Sequence, residues 1–320
     1  MSKLAEDIIG GNRRAMAKAI TLIESSRSDH REQAQELLNA ILPHTGNTIR
    51  IGMTGVPGVG KSTFIESFGK MLTGLGLRVA VLAVDPSSKI SGGSILGDKT
   101  RMEELARDEM AFIRPTPSNG TLGGIARNTR EAMMVLEAAG FEIIIIETVG
   151  VGQSEVAVSD LVDMFILLLS PSGGDELQGI KRGIMELADL VVVNKADGDF
   201  EAAAKLAATD VRNALHLMRS KSTDWTVDVL EVSALKKMGL ELVWQKIIEF
   251  RDIMVSNGEL ETRREKQNIS AIWSEVNELL IAQIKNHKFD QIEVLEKAVV
   301  NGEITPASAA DKLIKSVIGG

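Results

Sequence analysis

A glycine-rich segment at residues 55–62 has the residue types and spacing of a phosphate-binding loop. It matches the pattern G-x-x-x-x-G-K-[ST], follows a β-rich run at residues 49–54 and precedes an amphipathic helical stretch. Glycines let the backbone N–H groups turn inward around a β-phosphate, and the helix N-terminus adds partial positive charge. The predicted nucleotide-binding residues here are Gly55, Val56, Pro57, Gly58, Val59, Gly60, Lys61, Ser62 and Thr63.

Two side chains of this loop have specific predicted roles. Lys61 is expected to bridge the β- and γ-phosphates, and we count it among the catalytic residues. Ser62 is expected to ligate Mg²⁺. A simple glycine-rich turn is the alternative interpretation, but the strand before the loop and the helix after it are the context that a phosphate-binding loop requires.

A second motif, Asn194-Lys195-Ala196-Asp197, follows the buried apolar run at residues 190–193. In a parallel sheet, the base of a nucleotide lies at the carboxyl end of such a strand. The Asp197 carboxylate can accept both N1–H and the 2-amino group of guanine, whereas adenine offers neither and would leave the carboxylate unpaired. Asp197 is therefore the predicted specificity determinant, while Asn194 and Lys195 are expected to order the loop and cover the base.

A third segment completes the predicted site for GTP and GDP. Ser233, Ala234 and Leu235 follow the run at residues 227–232, and their backbone is expected to donate to the guanine oxygen. An ordinary turn at the end of a strand would look the same without the other two motifs.

The metal and hydrolysis residues form a separate prediction. Glu147 ends the run at residues 141–147, where GTPases usually carry the Asp of D-x-x-G, and its longer carboxylate suits a water-mediated contact to Mg²⁺. The N–H of Gly150 is expected to bind the γ-phosphate. Asp85 and Asp98 are further candidates for the Mg²⁺ shell, and a strand-end or helix-capping role is the alternative for each.

The position after Gly150 is Val151, where many GTPases place a water-orienting glutamine. This predicts slow intrinsic hydrolysis that a partner accelerates. Lys181, Arg101 and Gln153 are candidate rate-assisting groups, and Lys181 joins Lys61, Glu147 and Gly150 in the predicted catalytic set.

A glycine-rich, charged loop at residues 170–183 also leaves the carboxyl end of a predicted strand. It either reports the state of the nucleotide to a partner or is an ordinary solvated loop.

The elements that position these residues alternate between β-rich runs and helical stretches from residue 49 to about residue 255. The runs at residues 143–146 and 190–193 do not alternate with polar residues, which is typical of parallel strands covered on both faces. The pattern predicts an α/β fold, a P-loop NTPase with a doubly wound, mostly parallel sheet flanked by helices. Helical extensions are expected at both ends, giving the domain boundaries 1–48, 49–255 and 256–320.

The C-terminal extension carries an apolar stripe at helical spacing, and a further helix is expected to start at Thr305-Pro306. A segment of this size is too small to bury the stripe by itself. We expect it to pack on a second subunit, with packing on its own GTPase domain as the alternative.

The composition excludes several other functions. A net charge of −8 argues against binding nucleic acid. The absence of cysteine rules out disulfides and thiolate chemistry, and the four histidines show no ligand spacing. The sequence shows neither a signal peptide nor an apolar run long enough to span a membrane, so the protein is expected in the cytoplasm. An organellar form whose presequence has been removed is the alternative.

Taken together, these motifs resemble the MeaB/ArgK family of G-proteins, which are chaperones of adenosylcobalamin-dependent methylmalonyl-CoA mutase. The similarity spans nearly the whole chain, and the stretches around Asp85 and Glu147 are more particular to this family than the two nucleotide motifs. The family pattern itself contains Glu147. The quoted stretches are residues 13–15, 19–25, 55–62, 84–88, 97–102, 147–153, 194–197 and 304–306.

The resemblance implies a homodimer held by C-terminal arms, in which GTP binding and hydrolysis gate cofactor delivery to the mutase and protect it from inactivation. It favours Asp98 and Glu147 as Mg²⁺-site residues and a switch role for the loop at residues 175–181. Two alternatives belong to other classes, a nickel-inserting GTPase and a P-loop kinase or transport ATPase. Nickel insertion requires Cys or clustered His ligands that this sequence lacks.

Overall fold

A computed structural model describes residues 2–25, 27–85, 102–117, 122–148, 154–171, 182–218, 221–287 and 289–318. The chain divides into two compact units, Met1–Gln267 and Asn268–Gly320. The first unit contains both nucleotide motifs. The domain boundaries suggested by the sequence at residues 48 and 255 stay a prediction.

The first unit is built on a sheet whose seven described strands all pair in parallel, in the order β3-β2-β4-β1-β5-β6-β7. This confirms the doubly wound α/β fold, because the strand order runs outward in both directions from the central pair β4 and β1. The strands are β1 (Ile49–Gly55), β2 (Val79–Asp85), β3 (Ala111–Pro117), β4 (Ile143–Thr148), β5 (Met164–Leu169), β6 (Leu190–Val193) and β7 (Asp228–Glu231).

Helices cover both faces of the sheet. The described helices are α1 (Lys3–Ile9), α2 (Arg13–Ile23), α3 (Ser28–Ile41), α4 (Lys61–Gly74), α5 (Glu103–Ala106), α6 (Leu122–Ala138), α7 (Ser154–Ser159), α8 (Arg182–Leu187), α9 (Glu201–His216), α10 (Leu240–Ser256), α11 (Glu259–His287), α12 (Phe289–Val300) and α13 (Pro306–Ile318).

Successive residues of β4 point to opposite faces of the sheet, which explains its continuous apolar run. In β4, Ile143 and Ile145 pack into a core with α4 and α10, while Ile144 and Ile146 pack into a core with α2, α3 and α6. Both faces of a strand must therefore be apolar, as the sequence predicted. The N-terminal helices α1–α3 belong to the second of these cores.

The beginning of α11 is bonded to the amino ends of the strands. Arg264 forms an ion pair with the buried Asp163, immediately before β5, and also donates to the carbonyls of Gly46 and Thr48. Arg263 pairs with the buried Asp189, immediately before β6. These two arginines fix the first turns of α11 to the amino ends of the strands, opposite the carboxyl ends where the nucleotide motifs lie.

The second unit contains the rest of α11 together with α12 and α13. As predicted, α13 begins after Thr305, whose hydroxyl accepts from the Ser308 N–H at 3.2 Å, with Pro306 as its first residue. The apolar stripe of α11 is exposed, and the Trp273 side chain retains 66% of its accessible surface. Across both units, no described helix is both long and apolar enough to cross a membrane.

Candidate functional site

The phosphate-binding motif forms the turn between β1 and α4, at the carboxyl end of the central strand. Gly60 caps α4 with a φ of 92°, and a Cβ there would lie 2.7 Å from Nδ2 of Asn194. A Cβ on Gly55 would lie 2.5 Å from the carbonyl oxygen of Leu168 in β5. Both positions therefore require glycine, the first because of its conformation and its close neighbour, the second because of the adjoining strand.

Lys61 is the first residue of α4, and its side chain is only 9% exposed. Its Nζ donates to the carbonyl of Gly55 at 2.6 Å and to that of Val56 at 3.3 Å. The ammonium group is thus held across the loop by backbone carbonyls. At this position it can interact with phosphate oxygens of a nucleotide bound in the loop.

Asn194 connects the base-reading motif to the phosphate loop. Its buried side chain donates through Nδ2 to the Val59 carbonyl at 2.9 Å and accepts at Oδ1 from the Ala234 N–H at 3.1 Å. Lys195 adds a second link, because its Nζ donates to the Gly58 carbonyl at 2.6 Å. The three segments predicted separately from the sequence therefore meet in one site.

Asp197 lies at the start of the short 3₁₀ helix that follows this motif. Its Oδ1 accepts a 2.6 Å hydrogen bond from the Ser233 hydroxyl, which in turn accepts from the Lys236 N–H at 3.1 Å. The hydroxyl fixes the orientation of the carboxylate, which can then present acceptor lone pairs to the N1–H and 2-amino donors of guanine. Leu235, on the same turn, is 74% exposed and can contact a bound base.

Glu147 and Ser62 come together below the phosphate loop. Glu147 lies near the end of β4, is 9% exposed, and accepts a long hydrogen bond of 3.4 Å from the Ser62 hydroxyl. Beside them, Thr148 donates to the hydroxyl of Thr54 at 2.8 Å and joins β4 to β1. A hydroxyl and a carboxylate are hard oxygen donors, which fit Mg²⁺.

The remaining predicted metal-binding and catalytic residues lie wholly or partly outside the residues that the structure describes. Asp85 ends β2 at the same edge of the sheet, but its side chain is not among those described. Gly150 and Val151, Asp98, and Lys181 with the loop at residues 172–181 fall outside the described residues, as do Arg101 and Gln153. Their predicted roles stay predictions.

Sequence reasoning missed Ser67, which contacts the base-reading turn from α4. The signal was a small polar residue on an apolar helical face, between Phe64 and Leu72. Such a residue belongs to no recognisable sequence motif, and its hydrogen-bond partner, Ala234, lies 167 residues away in the chain.

Comparison with known proteins places these features in a family. A family model described as methylmalonyl Co-A mutase-associated GTPase MeaB matches residues 16–288. A putative GTPase of Caulobacter vibrioides is 53% identical and covers 98% of this chain and 97% of its own length. GTPase ArgK of Escherichia coli is 47% identical, with 95% of this chain and 92% of the relative aligned.

Two further matches extend the comparison. The Mus musculus protein described as methylmalonic aciduria type A homolog, mitochondrial, is 48% identical over 99% of this chain and 79% of its own length. The crystal structure of an LAO/AO transport system kinase has a TM-score of 0.77 and 38% identity, with coverage of 98% and 96%. The chain therefore belongs to the methylmalonyl Co-A mutase-associated GTPase MeaB family, and it is a P-loop GTPase that binds guanine nucleotide and hydrolyses GTP.

Proposed function

We propose that this GTPase is a chaperone of methylmalonyl-CoA mutase that gates the loading of adenosylcobalamin and protects the mutase from inactivation. The family description names the mutase, and the mouse relative is named for methylmalonic aciduria. The nucleotide dependence of this chaperone role rests on one observation: the Asn194 side chain, in the base-reading motif, is hydrogen-bonded both to the phosphate loop and to the turn at Ala234. A change at the phosphates thus reaches the base-reading loops through direct hydrogen bonds.

The hydrolytic centre that we propose uses Lys61, Ser62 and Glu147. Lys61 binds the β- and γ-phosphates, and Ser62 and Glu147 hold Mg²⁺, with Asp85 and Asp98 as the remaining candidates for its shell. The bound metal ion neutralises phosphate charge. The proximity of the Ser62 hydroxyl to the Glu147 carboxylate supports this assignment.

Slow turnover in isolation is part of the proposal. Val151 cannot orient a water molecule as a glutamine does, so the free GTPase retains its GTP until a partner supplies or orders the missing group. Gly150 and Lys181 are the proposed contributors from this chain. We propose the cytoplasm as the location of this cycle.

We also propose that the protein is a homodimer held by its C-terminal arm. The arm is defined here as residues 256–320. The exposed apolar face of α11 supports this, because contiguous apolar surface of this kind marks interaction sites. The residues of this face are Ile269, Ile272, Trp273, Val276, Leu279, Leu280 and Ile281.

The test is a GTPase assay with and without purified methylmalonyl-CoA mutase, combined with co-purification of the two proteins. We expect binding and a hydrolysis rate at least ten times higher with the mutase, and Lys61→Ala should abolish hydrolysis in both cases. If the mutase neither binds nor changes the rate, the chaperone role is rejected and only the GTPase activity stands. A concentration-independent monomer mass by light scattering would reject the dimer.

A further inference from the structure

The phosphate-loop helix α4 also touches the turn that reads the base. The Ser67 hydroxyl donates to the Ala234 carbonyl oxygen at 2.8 Å, and both residues are buried. Around Ser67, Phe64 and Phe68 stack with ring centroids 5.5 Å apart, and Trp244 meets Phe68 edge-on at 6.4 Å. The Ser67 hydroxyl is thus buried on a helix that carries this aromatic cluster, where losing its hydrogen-bond partner is costly.

The Ala234 carbonyl that accepts this hydrogen bond belongs to the peptide group between Ala234 and Leu235, which also carries the Leu235 N–H donor. The Ala234 carbonyl and the Leu235 N–H are part of one planar trans peptide, so they point in opposite directions. Ser67 fixes the carbonyl toward α4, and this directs the Leu235 N–H away from it. Within the described chain the Leu235 N–H has no acceptor, whereas the Ala234 N–H is already bonded to Asn194.

The same turn is fixed on its other side as well. The Ser233 and Met238 backbones exchange two hydrogen bonds, at 3.1 and 3.0 Å, and the Ser233 hydroxyl bonds to Asp197. The turn that carries the Leu235 N–H is thus connected to the predicted acceptor of the guanine N1–H and 2-amino groups. A donor oriented in this turn can meet O6, the remaining hydrogen-bonding group on that edge of guanine.

We propose that Ser67 is a positioning residue for guanine recognition, because it orients the Ala234–Leu235 peptide so that its N–H donates to O6 of the base. The proposal rests on the assignment of Ser233, Ala234 and Leu235 to the guanine site. It also gives α4 two tasks, since the helix carries the phosphate-binding Lys61 at its start and supports the base-reading turn two turns later.

The test compares how Ser67→Ala changes the affinity for three diphosphates. GDP and IDP both carry O6, whereas in 6-thio-GDP a sulfur atom, a much weaker acceptor, replaces that oxygen. We expect the variant to bind GDP and IDP roughly fivefold to tenfold more weakly and 6-thio-GDP less than twofold more weakly. Ser67→Cys, which keeps a weak donor at the cost of a slightly larger side chain, should lie between wild type and Ser67→Ala.

Thr73→Val is the matched control, because it removes another hydroxyl from α4, one that bonds to Lys70 and Asp108 instead of the turn. Equal weakening of all three nucleotides by Ser67→Ala, or no weakening, would overturn the proposal. If the Ala variant does not fold, the same comparison with Ser67→Cys decides. Failure of the underlying guanine site is distinguishable, because the wild-type protein would then bind GDP no more tightly than ADP.

Discussion

The Asn194 amide lies 2.9 Å from the Val59 carbonyl and would lie 2.7 Å from a Cβ on Gly60. The base-reading motif therefore occupies the space that any side chain at position 60 would need. In this protein the two nucleotide motifs are therefore in direct contact at Asn194.

This contact predicts different results for two alanine substitutions in the same loop. Gly58 and Gly60 both have positive φ, 85° and 92°, but a Cβ on Gly58 meets nothing within 4 Å. Gly58→Ala should cost about 1–2 kcal/mol of stability from backbone strain alone. Gly60→Ala should cost more and weaken GDP binding at least tenfold, because it also displaces Asn194. Thermal unfolding and GDP titration check both, and equal effects of the two variants would contradict the close contact.

Asp197 should determine which base is bound. Asp197→Asn replaces an acceptor with an amide that also donates, which suits the 2-oxo group of xanthine and opposes the 2-amino group of guanine. We expect GTP affinity to fall at least a hundredfold and XTP affinity to rise. Asp199→Asn, an exposed acid two residues later, is the control and should change neither. Unaltered GTP preference in Asp197→Asn would remove this residue from the site.

The ion pair between Lys70 and Asp108 should make stability depend on pH in the acid range. Lys70 lowers the pKa of Asp108 below its ordinary value of 3.8, and burial only partly opposes this. Because the folded-state pKa is depressed, the stabilisation is complete above pH 3.8 and is lost as the pH falls through the lower, folded-state value.

Asp108→Asn tests this dependence. The variant should be about 1–2 kcal/mol less stable than wild type at pH 6, and the difference should shrink below pH 3.8. Urea unfolding at pH 6 and at pH 3 gives the measurement, and Asp252→Asn, an exposed acid on α10, is the control. A difference that stays constant down to pH 3 would show that the pair does not act through the charge of Asp108.

Arg264 should be among the most sensitive positions outside the nucleotide site. Arg264→Met leaves the buried carboxylate of Asp163 without its cation, which costs about 3–5 kcal/mol. The double variant Arg264→Met with Asp163→Asn should recover part of this loss, because no uncompensated charge is left. Arg251→Met, on the exposed face of α10, should change stability by about 0.5 kcal/mol at most. Denaturant unfolding of the four proteins checks these values.

The parts of the fold that the sequence predicts well are those with local causes. The apolar run Ile143–Ile146 indicates a strand buried on both faces, and the glycine pattern at residues 55–60, with a strand run before it and a helical stretch after it, indicates a phosphate loop. The position of Asn194 and Asp197 directly after β6 was also predictable, because they belong to a motif with a fixed place at the end of a strand; their roles toward a base stay predictions.

Contacts that depend on packing between distant segments could not be predicted in this way. Ser67 binds Ala234 only because α4 and α10 lie on the same face of the sheet, a fact that no local pattern encodes. Arg263 and Arg264 look like solvated charges at the start of a long helix. In the fold they face Asp189 and Asp163, 74 and 101 residues away, at the amino ends of two strands.

The two arginine pairs connect the start of α11 to the amino ends of β5 and β6, and β6 continues from there to the nucleotide motifs. Asp189 and Asn194 stand at opposite ends of β6, and five residue steps of strand separate them by roughly 16 Å. β6 is hydrogen-bonded along both sides, so Asn194 and Asp189 lie at the two ends of one continuously paired strand, and Asp189 in turn pairs with Arg263. The first turns of α11 are thereby connected, through the single short strand β6, to the carboxyl ends of the strands where the nucleotide motifs lie.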